Sequence, residues 1–359
     1  MRSSIKLLLL ICLASCSVSK DVRHKEKPPI PKTKVDDLFD PKLRSFGKKG
    51  NSVLLLLPMS GNNESIGRNI LNACLLAVDN SRNIDFHLID TANTSIEKCK
   101  MYDYFKDKNL KAIIGPVFFH EIKPYSALFP DVPILSFSNN LKINRGHIFA
   151  CGLSLQDEIQ ALMAYANSQE INSFLIMLPE GDIGTQILEI LEDELKKYGL
   201  EEGDDLEIIR YSSISRKAAT KYAKNSNKKA VFVINPILTI SKLKDIRVFT
   251  VSSAALSNSE AWDGVIFAFS DNDELRKFSE RYNANFGVYP NVLDIIGHDL
   301  MKIVREFINL QKPIVGNHHQ GCMGEFLIDK NTGPKRDLQI FRMENSQKKE
   351  LTKIEVLNN

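Results

Sequence analysis

Ser60-Gly61 and Ser136-Phe137-Ser138-Asn139 are the residues best suited to hold a small ligand. Each group closes an apolar run, so it falls at the end of a strand, where hydroxyls, amides and free backbone N–H groups can converge. Ser60-Gly61 also precedes a helical pattern, and the open N–H groups of a helix start favour an anion. Ser136, Ser138 and Asn139 add hydroxyl and amide partners, a set that suits an amino-acid carboxylate or a sugar hydroxyl. Serines in such places also serve as plain helix caps. His318-His319 is a tempting metal pair, but no cysteine or carboxylate stands at ligand spacing from it, and it reads as a polar loop. His298 shares a helical stretch with Asp294 and Asp299 and reads as packing rather than a base. No G-x-G-x-x-G, Walker loop, H-E-x-x-H or G-x-S-x-G is present, and no nucleophile has an evident base. The expectation is a protein that binds rather than catalyses, with no catalytic residue, metal or cofactor.

One cysteine carries a different chemistry. Arg2 and Lys6 precede an apolar run from Leu7 to Ala14, which ends at Leu13-Ala14-Ser15-Cys16. A basic start, a short apolar stretch and small residues at the cut are the parts of a secretory signal. The run is too short for a span, which needs ~20 apolar residues. Its end resembles a bacterial lipobox, which implies that Cys16 is lipidated and becomes the new N-terminus. Residues 1–15 then form a signal peptide and 16–50 a lipidated flexible tether. The tether carries Pro28, Pro29, Pro31 and Pro41, with ten Lys/Arg against five Asp/Glu, while the rest of the chain is slightly acidic. The basic excess lies in the tether, so the folded body has no nucleic-acid footprint.

Binding groups must be positioned by a fold, and the pattern past Ser52 defines one. Val53 to Leu57 is an unbroken apolar run, as in a strand buried on both faces. Ile66, Ile70, Ala73, Cys74, Ala77 and Val78 then recur at helical spacing. Strand and helix alternate through Asp85–Asp90, Ile96–Phe105, Ala112–Ile114, His120–Leu128, Val132–Phe137 and Ile148–Gly152. The rhythm restarts with a helix from Gln156 to Ser168, and strands at Phe174–Leu178, Leu206–Tyr211, Ala230–Ile234 and Ile246–Val251. Helices are expected over Gly184–Tyr198 and Arg216–Lys224. Gly264–Phe269 is a strand, Asp273–Ala284 and Val292–Leu310 are helices, and Glu325–Ile328 with Leu338–Phe341 reads as a terminal strand pair. Such alternation predicts an α/β protein with parallel sheets covered by helices. Cys74, Cys99, Cys151 and Cys322 show no C-x-x-C spacing; they could form bridges in an oxidising compartment, whose pairing the sequence does not assign, and buried free thiols are the default for Cys74 and Cys99.

Six landmarks resemble the type I periplasmic binding proteins. They are Leu55-Leu56-Leu57-Pro58-Met59-Ser60-Gly61 with Ile66-Gly67; Ile114-Gly115-Pro116; Pro133-Ile134-Leu135-Ser136-Phe137-Ser138-Asn139; Glu180-Gly181-Asp182-Ile183-Gly184; Phe286-Gly287, Pro290 and Gly297-His298-Asp299; and Gly321, Gly324, Phe326 and Asp329. The set is most similar to the lipoprotein branch related to penicillin-binding-protein activators, and next to the branched-chain amino-acid receptors of ABC importers.

The resemblance implies two Rossmann-like lobes joined by three crossovers. Lobe 1 would be 51–150 plus 264–312, and lobe 2 would be 151–263 plus 313–359. A ligand would lie at the strand C-termini, touching Ser60, Gly61, Gly115, Ser136, Ser138, Asn139 and Asp182. Ile183 stands where receptors often place an aromatic lid, and Asn139-Asn140 replaces Ala-Thr. These departures favour a non-enzymatic envelope lipoprotein that docks on a penicillin-binding protein and regulates peptidoglycan synthesis. The alternative is a solute receptor that delivers an amino-acid-like ligand to an importer permease. Ser17, where Asp commonly marks inner-membrane retention, points to the periplasmic face of the outer membrane.

Overall fold

The computed structural model describes residues 50–78, 84–92, 98–139, 143–211, 216–234, 246–251, 263–329 and 333–354. Cys16 and the tether up to residue 49, the Asn235-Pro236 turn and Asn140 lie outside the described residues, as do the side chains of Cys99, Asp182 and Ile183.

The chain opens with β1 (Asn51–Leu57), α1 (Glu64–Val78), β2 (Ile84–Asp90), α2 (Lys98–Phe105), β3 (Asn109–Ile114), α3 (Ile122–Leu128), β4 (Ile134–Ser136) and β5 (Ile148–Ala150). It continues through α4 (Leu155–Ser168), β6 (Phe174–Pro179), α5 (Asp182–Lys196), β7 (Leu206–Tyr211), α6 (Arg216–Asn225), β8 (Ala230–Val233), β9 (Arg247–Thr250) and β10 (Val265–Phe269). The last part holds α7 (Asp273–Phe286), α8 (Val292–Leu310), β11 (His318–Gly321), β12 (Gly324–Asp329), β13 (Gly333–Arg336), β14 (Leu338–Glu344) and β15 (Gln347–Ile354).

Two compact units result, and the chain passes between them after Ser154, Ser270 and Arg336. The first unit holds a parallel five-stranded sheet in the order β2-β1-β3-β4-β5 and a separate antiparallel sheet β11-β12-β13. β1 is an interior strand, paired on both sides by β2 and β3, and its leucines show no polar face: Leu54, Leu56 and Leu57 are fully buried. α8 packs along α1, with Gly297 set against Ile70 and Cys74. Tyr282 of α7 donates to Asn69 O in the middle of α1 at 3.0 Å, and Arg305 of α8 donates at 2.8 Å to Ala77 O, one of the carbonyls left open at the end of α1. Asn291 and Asp294 form a reciprocal capping box that starts α8.

The second unit is a seven-stranded sheet in the order β15-β14-β10-β9-β8-β6-β7. Its five strands from β10 to β7 are parallel, and β14 and β15 add antiparallel at one edge. The apolar faces of α4 and α5, including Ile159, Leu162, Ile187 and Leu191, close over Phe174, Ile176, Phe232 and Phe249.

Both units use the same device where their first strand turns into a helix. A Cβ on Gly67 would lie 2.1 Å from Pro58 O, and one on Gly184 would lie 1.8 Å from Pro179 O. Each helix therefore rests on the carbonyl of the proline that ends its strand, an approach that only glycine permits.

Four expectations are corrected. Val265–Phe269 belongs to the second unit, because it pairs with β9 and β14. Residues 313–336 belong to the first, where Phe326 and Ile328 are buried between β11 and β13. The supposed terminal pair is therefore split: β12 and β14 lie in different sheets. His318-His319 is a strand rather than a polar loop. His319 is buried, its Nε2 2.9 Å from Ile314 O and its Nδ1 3.3 Å from Glu306 Oε2, so both ring nitrogens have partners.

Candidate functional site

The ligand loops expected from the sequence sit where β1, β3 and β4 end, on one edge of the first unit's parallel sheet. Ser60 is half-buried and precedes a single 3₁₀ turn, Gly61–Asn63, without a side-chain cap bond. Gly61 is exposed. Gly115 is buried at φ +101°, and a Cβ there would fall 2.2 Å from Leu56 O, so the residue serves the packing of β3 on β1. Ser136 is fully buried. Its Oγ donates to Pro116 O at 3.0 Å and accepts from Ser138 N at 3.2 Å, which ties the β3 and β4 loops together. Ser138 is buried and its carbonyl accepts from Gly152 N at 3.0 Å, while Asn139 is exposed. Asp182 opens α5 in the other unit after Gly181, whose φ is +96°.

The edge is more acidic than an anion site should be. Asp90, at the end of β2, accepts from Met59 N at 2.8 Å and from Ala92 N at 3.0 Å. A carboxylate of the chain itself thus takes the N–H of the loop before Ser60. Glu121 stands nearby, and its pKa is raised to about 7 by burial, with Asp90 adding to the shift. A second carboxylate brought here would meet charge of its own sign.

A second constellation, not anticipated from sequence, lies deeper in the same unit. His298 and Asp299 project from α8, Cys322 from the β11–β12 turn and Arg336 from the end of β13. Cys322 Sγ is 3.1 Å from His298 Nδ1. The same nitrogen is 3.5 Å from Asp299 Oδ1, which also accepts from Cys322 N at 2.7 Å. Arg336 Nη1 lies 3.6 Å from Asp299 Oδ2, and its guanidinium covers the Phe326 ring at 3.9 Å. The His298 ring packs on Phe278 at 4.5 Å between centroids. Burial alone would raise the Asp299 pKa, but the hydrogen bond from His298, the Arg336 charge and Cys322 N–H hold it below the usual carboxylate value. Burial, with Asp299 beside it, pushes the Cys322 thiol far up.

This is not a nucleophile with a relay. Thiol and carboxylate meet the same ring nitrogen, whereas a triad uses opposite ones. The thiol is also held protonated, which removes its reactivity. Cys74 and Cys151 are likewise buried free thiols, the latter pushed up to about 12 by burial. Only the adjacency of His298 and Asp299 was visible in the sequence; Cys322 joins them through β11 and β12, at no motif spacing. Among the described residues no helix is long and apolar enough to cross a membrane.

A family model described as "LppC putative lipoprotein" matches residues 41–221, half of the chain. The chain is 21% identical over 314 residues to a protein named penicillin-binding protein activator LpoA from Histophilus somni, covering 81% of this chain and 53% of that protein. A Vibrio antiquarius protein of the same name is 27% identical over 162 residues, 42% of this chain and 26% of that one. The chain thus spans about half the length, or less, of the curated relatives it matches. Among solved structures, it overlays the C-domain of Haemophilus influenzae LpoA, described as a regulator of PBP1A, with a TM-score of 0.63 at 17% identity, covering 84% of this chain and 100% of that one. It overlays a leucine binding protein from Thermotoga maritima with a TM-score of 0.60 at 17% identity, covering 85% and 98%. The fold is that of the type I periplasmic binding proteins.

Proposed function

The chain belongs to the LppC lipoprotein family, and from that premise we propose that it is a lipid-anchored, non-enzymatic protein of the cell envelope that regulates a peptidoglycan synthase by docking on it. The observation that carries this reading over the solute receptor is the state of the ligand edge. The Ser136 hydroxyl is spent on Pro116 O and Ser138 N, and the Met59 N–H on Asp90. Groups that a receptor keeps for a ligand carboxylate serve the chain's own loops. In this reading Ser60, Gly61, Gly115, Ser136, Ser138, Asn139 and Asp182 mark an inherited loop set kept for structure. The naming of the relatives as penicillin-binding protein activators supports the synthase as partner. Anchoring through Cys16, on the periplasmic face of the outer membrane, would place the body within reach of it.

The test pairs two measurements on the mature chain. One is co-purification with the periplasmic part of a penicillin-binding protein, together with the rate of glycan polymerisation. The other is a thermal-shift screen against amino acids. A receptor at a hundredfold ligand excess over Kd gains about 2.7 kcal/mol and a clearly raised melting temperature. The expected result is synthase binding with no amino-acid shift. A large shift with leucine or a related amino acid, with no synthase binding, would transfer the protein to the receptor class.

A further inference from the structure

Among the described residues, the first unit holds a group of side chains with the geometry of a metal-ligand set, carried by elements other than those that carry the loops discussed above. His298 Nδ1, Asp299 Oδ1 and Cys322 Sγ all lie within 4.8 Å of one another. The nitrogen–sulfur separation of 3.1 Å and the nitrogen–oxygen separation of 3.5 Å approach the edges of a coordination polyhedron with ligands at ~2.0–2.3 Å from its centre. Two of the three groups are held from behind. The other carboxylate oxygen faces the Arg336 guanidinium at 3.6 Å, and the imidazole packs on Phe278. The side chain of His298 is 14% exposed while Asp299 is 1% exposed, so the cluster is open to solvent on the histidine side alone.

Charge decides which cation fits. Arg336 is buried, and its guanidinium lies 3.6 Å from the Asp299 carboxylate, so a positive charge already stands beside the cluster. A divalent ion would bring two further positive charges into a buried place beside that guanidinium, at a heavy cost. A monovalent ion brings half that charge. Thiolate and imidazole are ligands for Cu(I), while the hard carboxylate is not and can stay with Arg336. We propose that Cys322 and His298 form a site for a monovalent thiophilic cation, Cu(I) or its redox-inert analogue Ag(I), with the Asp299–Arg336 ion pair behind it. Binding forms a metal–sulfur and a metal–nitrogen bond, releases the thiol proton to solvent, and changes no oxidation state.

The experiment uses the mature chain under anaerobic conditions, with copper held as Cu(I) by ascorbate and shared with a coloured Cu(I) chelator. The wild-type chain should withdraw one more equivalent than either of two variants, Cys322→Ser and His298→Phe, the second of which keeps an aromatic ring against Phe278. Cys74→Ser, which alters a buried thiol outside the cluster, should bind as the wild type does. X-ray absorption of the loaded wild-type chain reads the ligands without any variant, and should show one sulfur and one imidazole nitrogen. Unchanged stoichiometry in a folded variant, or a spectrum without that sulfur–nitrogen pair, would overturn the site. Preferential uptake of Zn(II) over Cu(I) and Ag(I), with the same ligands, would overturn the charge argument.

Discussion

Asp294 offers a direct measurement of what burying a charge costs this fold. The residue sits in the first turn of α8 with no exposed surface. One carboxyl oxygen accepts from Asn291 N at 2.8 Å, and the other, Oδ1, is buried with no hydrogen-bond partner. Burial raises its pKa from 3.8 to about 7, against the smaller pull of the Asn291 N–H. Because the folded value is the higher one, the folded state holds a proton that the unfolded state has lost at intermediate pH. The stability this provides is complete below about pH 4 and is lost progressively as pH rises to about 7. A displacement of about three pH units, at ~1.4 kcal/mol each, sets a ceiling of about 4 kcal/mol. Asp294→Asn cannot ionise, and its carbonyl can still accept from Asn291 N. Leaving an amide where Oδ1 now lies costs about 1–3 kcal/mol at every pH, so the informative quantity is a slope. Urea unfolding of both chains, followed by circular dichroism between pH 4.5 and 8, should show the variant gaining on the wild type by several kcal/mol as pH rises. Other shifted groups, such as Glu121, raised to about 7, and His87, lowered to about 4 by burial and Lys108, occur in both chains and cancel in the difference. A difference that stays flat within about 0.5 kcal/mol would refute the reasoning.

Gly184→Ala should destabilise the chain by about 1–3 kcal/mol, seen as a lower melting temperature, because the backbone at Pro179 must move to admit the methyl group. Ser136→Ala should cost about 1–3 kcal/mol by orphaning Ser138 N and one bond to Pro116 O, yet leave synthase binding intact. Labelled palmitate should enter the wild-type chain, and Cys16→Ser should abolish the label; label that persists in the variant would exclude Cys16 as the acceptor.

What the sequence revealed follows from which signals are periodic. The run Val53–Leu57 could only be an interior strand, and α8 and β7 emerged with the bounds expected from apolar spacing. Pairing is not periodic. Val265–Phe269 is buried along its whole length, and such a strand fits the middle of any sheet; nothing in it selects β9 over a strand of the other unit. β11 reads His-His-Gln-Gly, with no apolar residue to announce it. Its buried face is a histidine whose partners, Glu306 and Ile314, come from elsewhere. The loop landmarks were found in order, but their state was not, because whether a serine hydroxyl is free depends on a carbonyl 20 residues away. The cysteine–histidine cluster escaped for the same reason: 24 residues and a sheet of its own separate Cys322 from His298.

The interleaving of the two units sets a timetable for the chain. The apolar face of α1 is covered by α8, and the partners Cys74 and Gly297 are 223 residues apart. At about 5–20 residues per second, synthesis leaves roughly 10–45 s between the appearance of one face and its cover. β10 likewise waits for β14 before its outer edge is paired. Neither unit can close early and shelter there while the rest is made. The late segments, α8 and the β14–β15 hairpin, act as the two latches of the molecule, and agents that bind exposed apolar surface have their longest opportunity in the interval before those latches arrive.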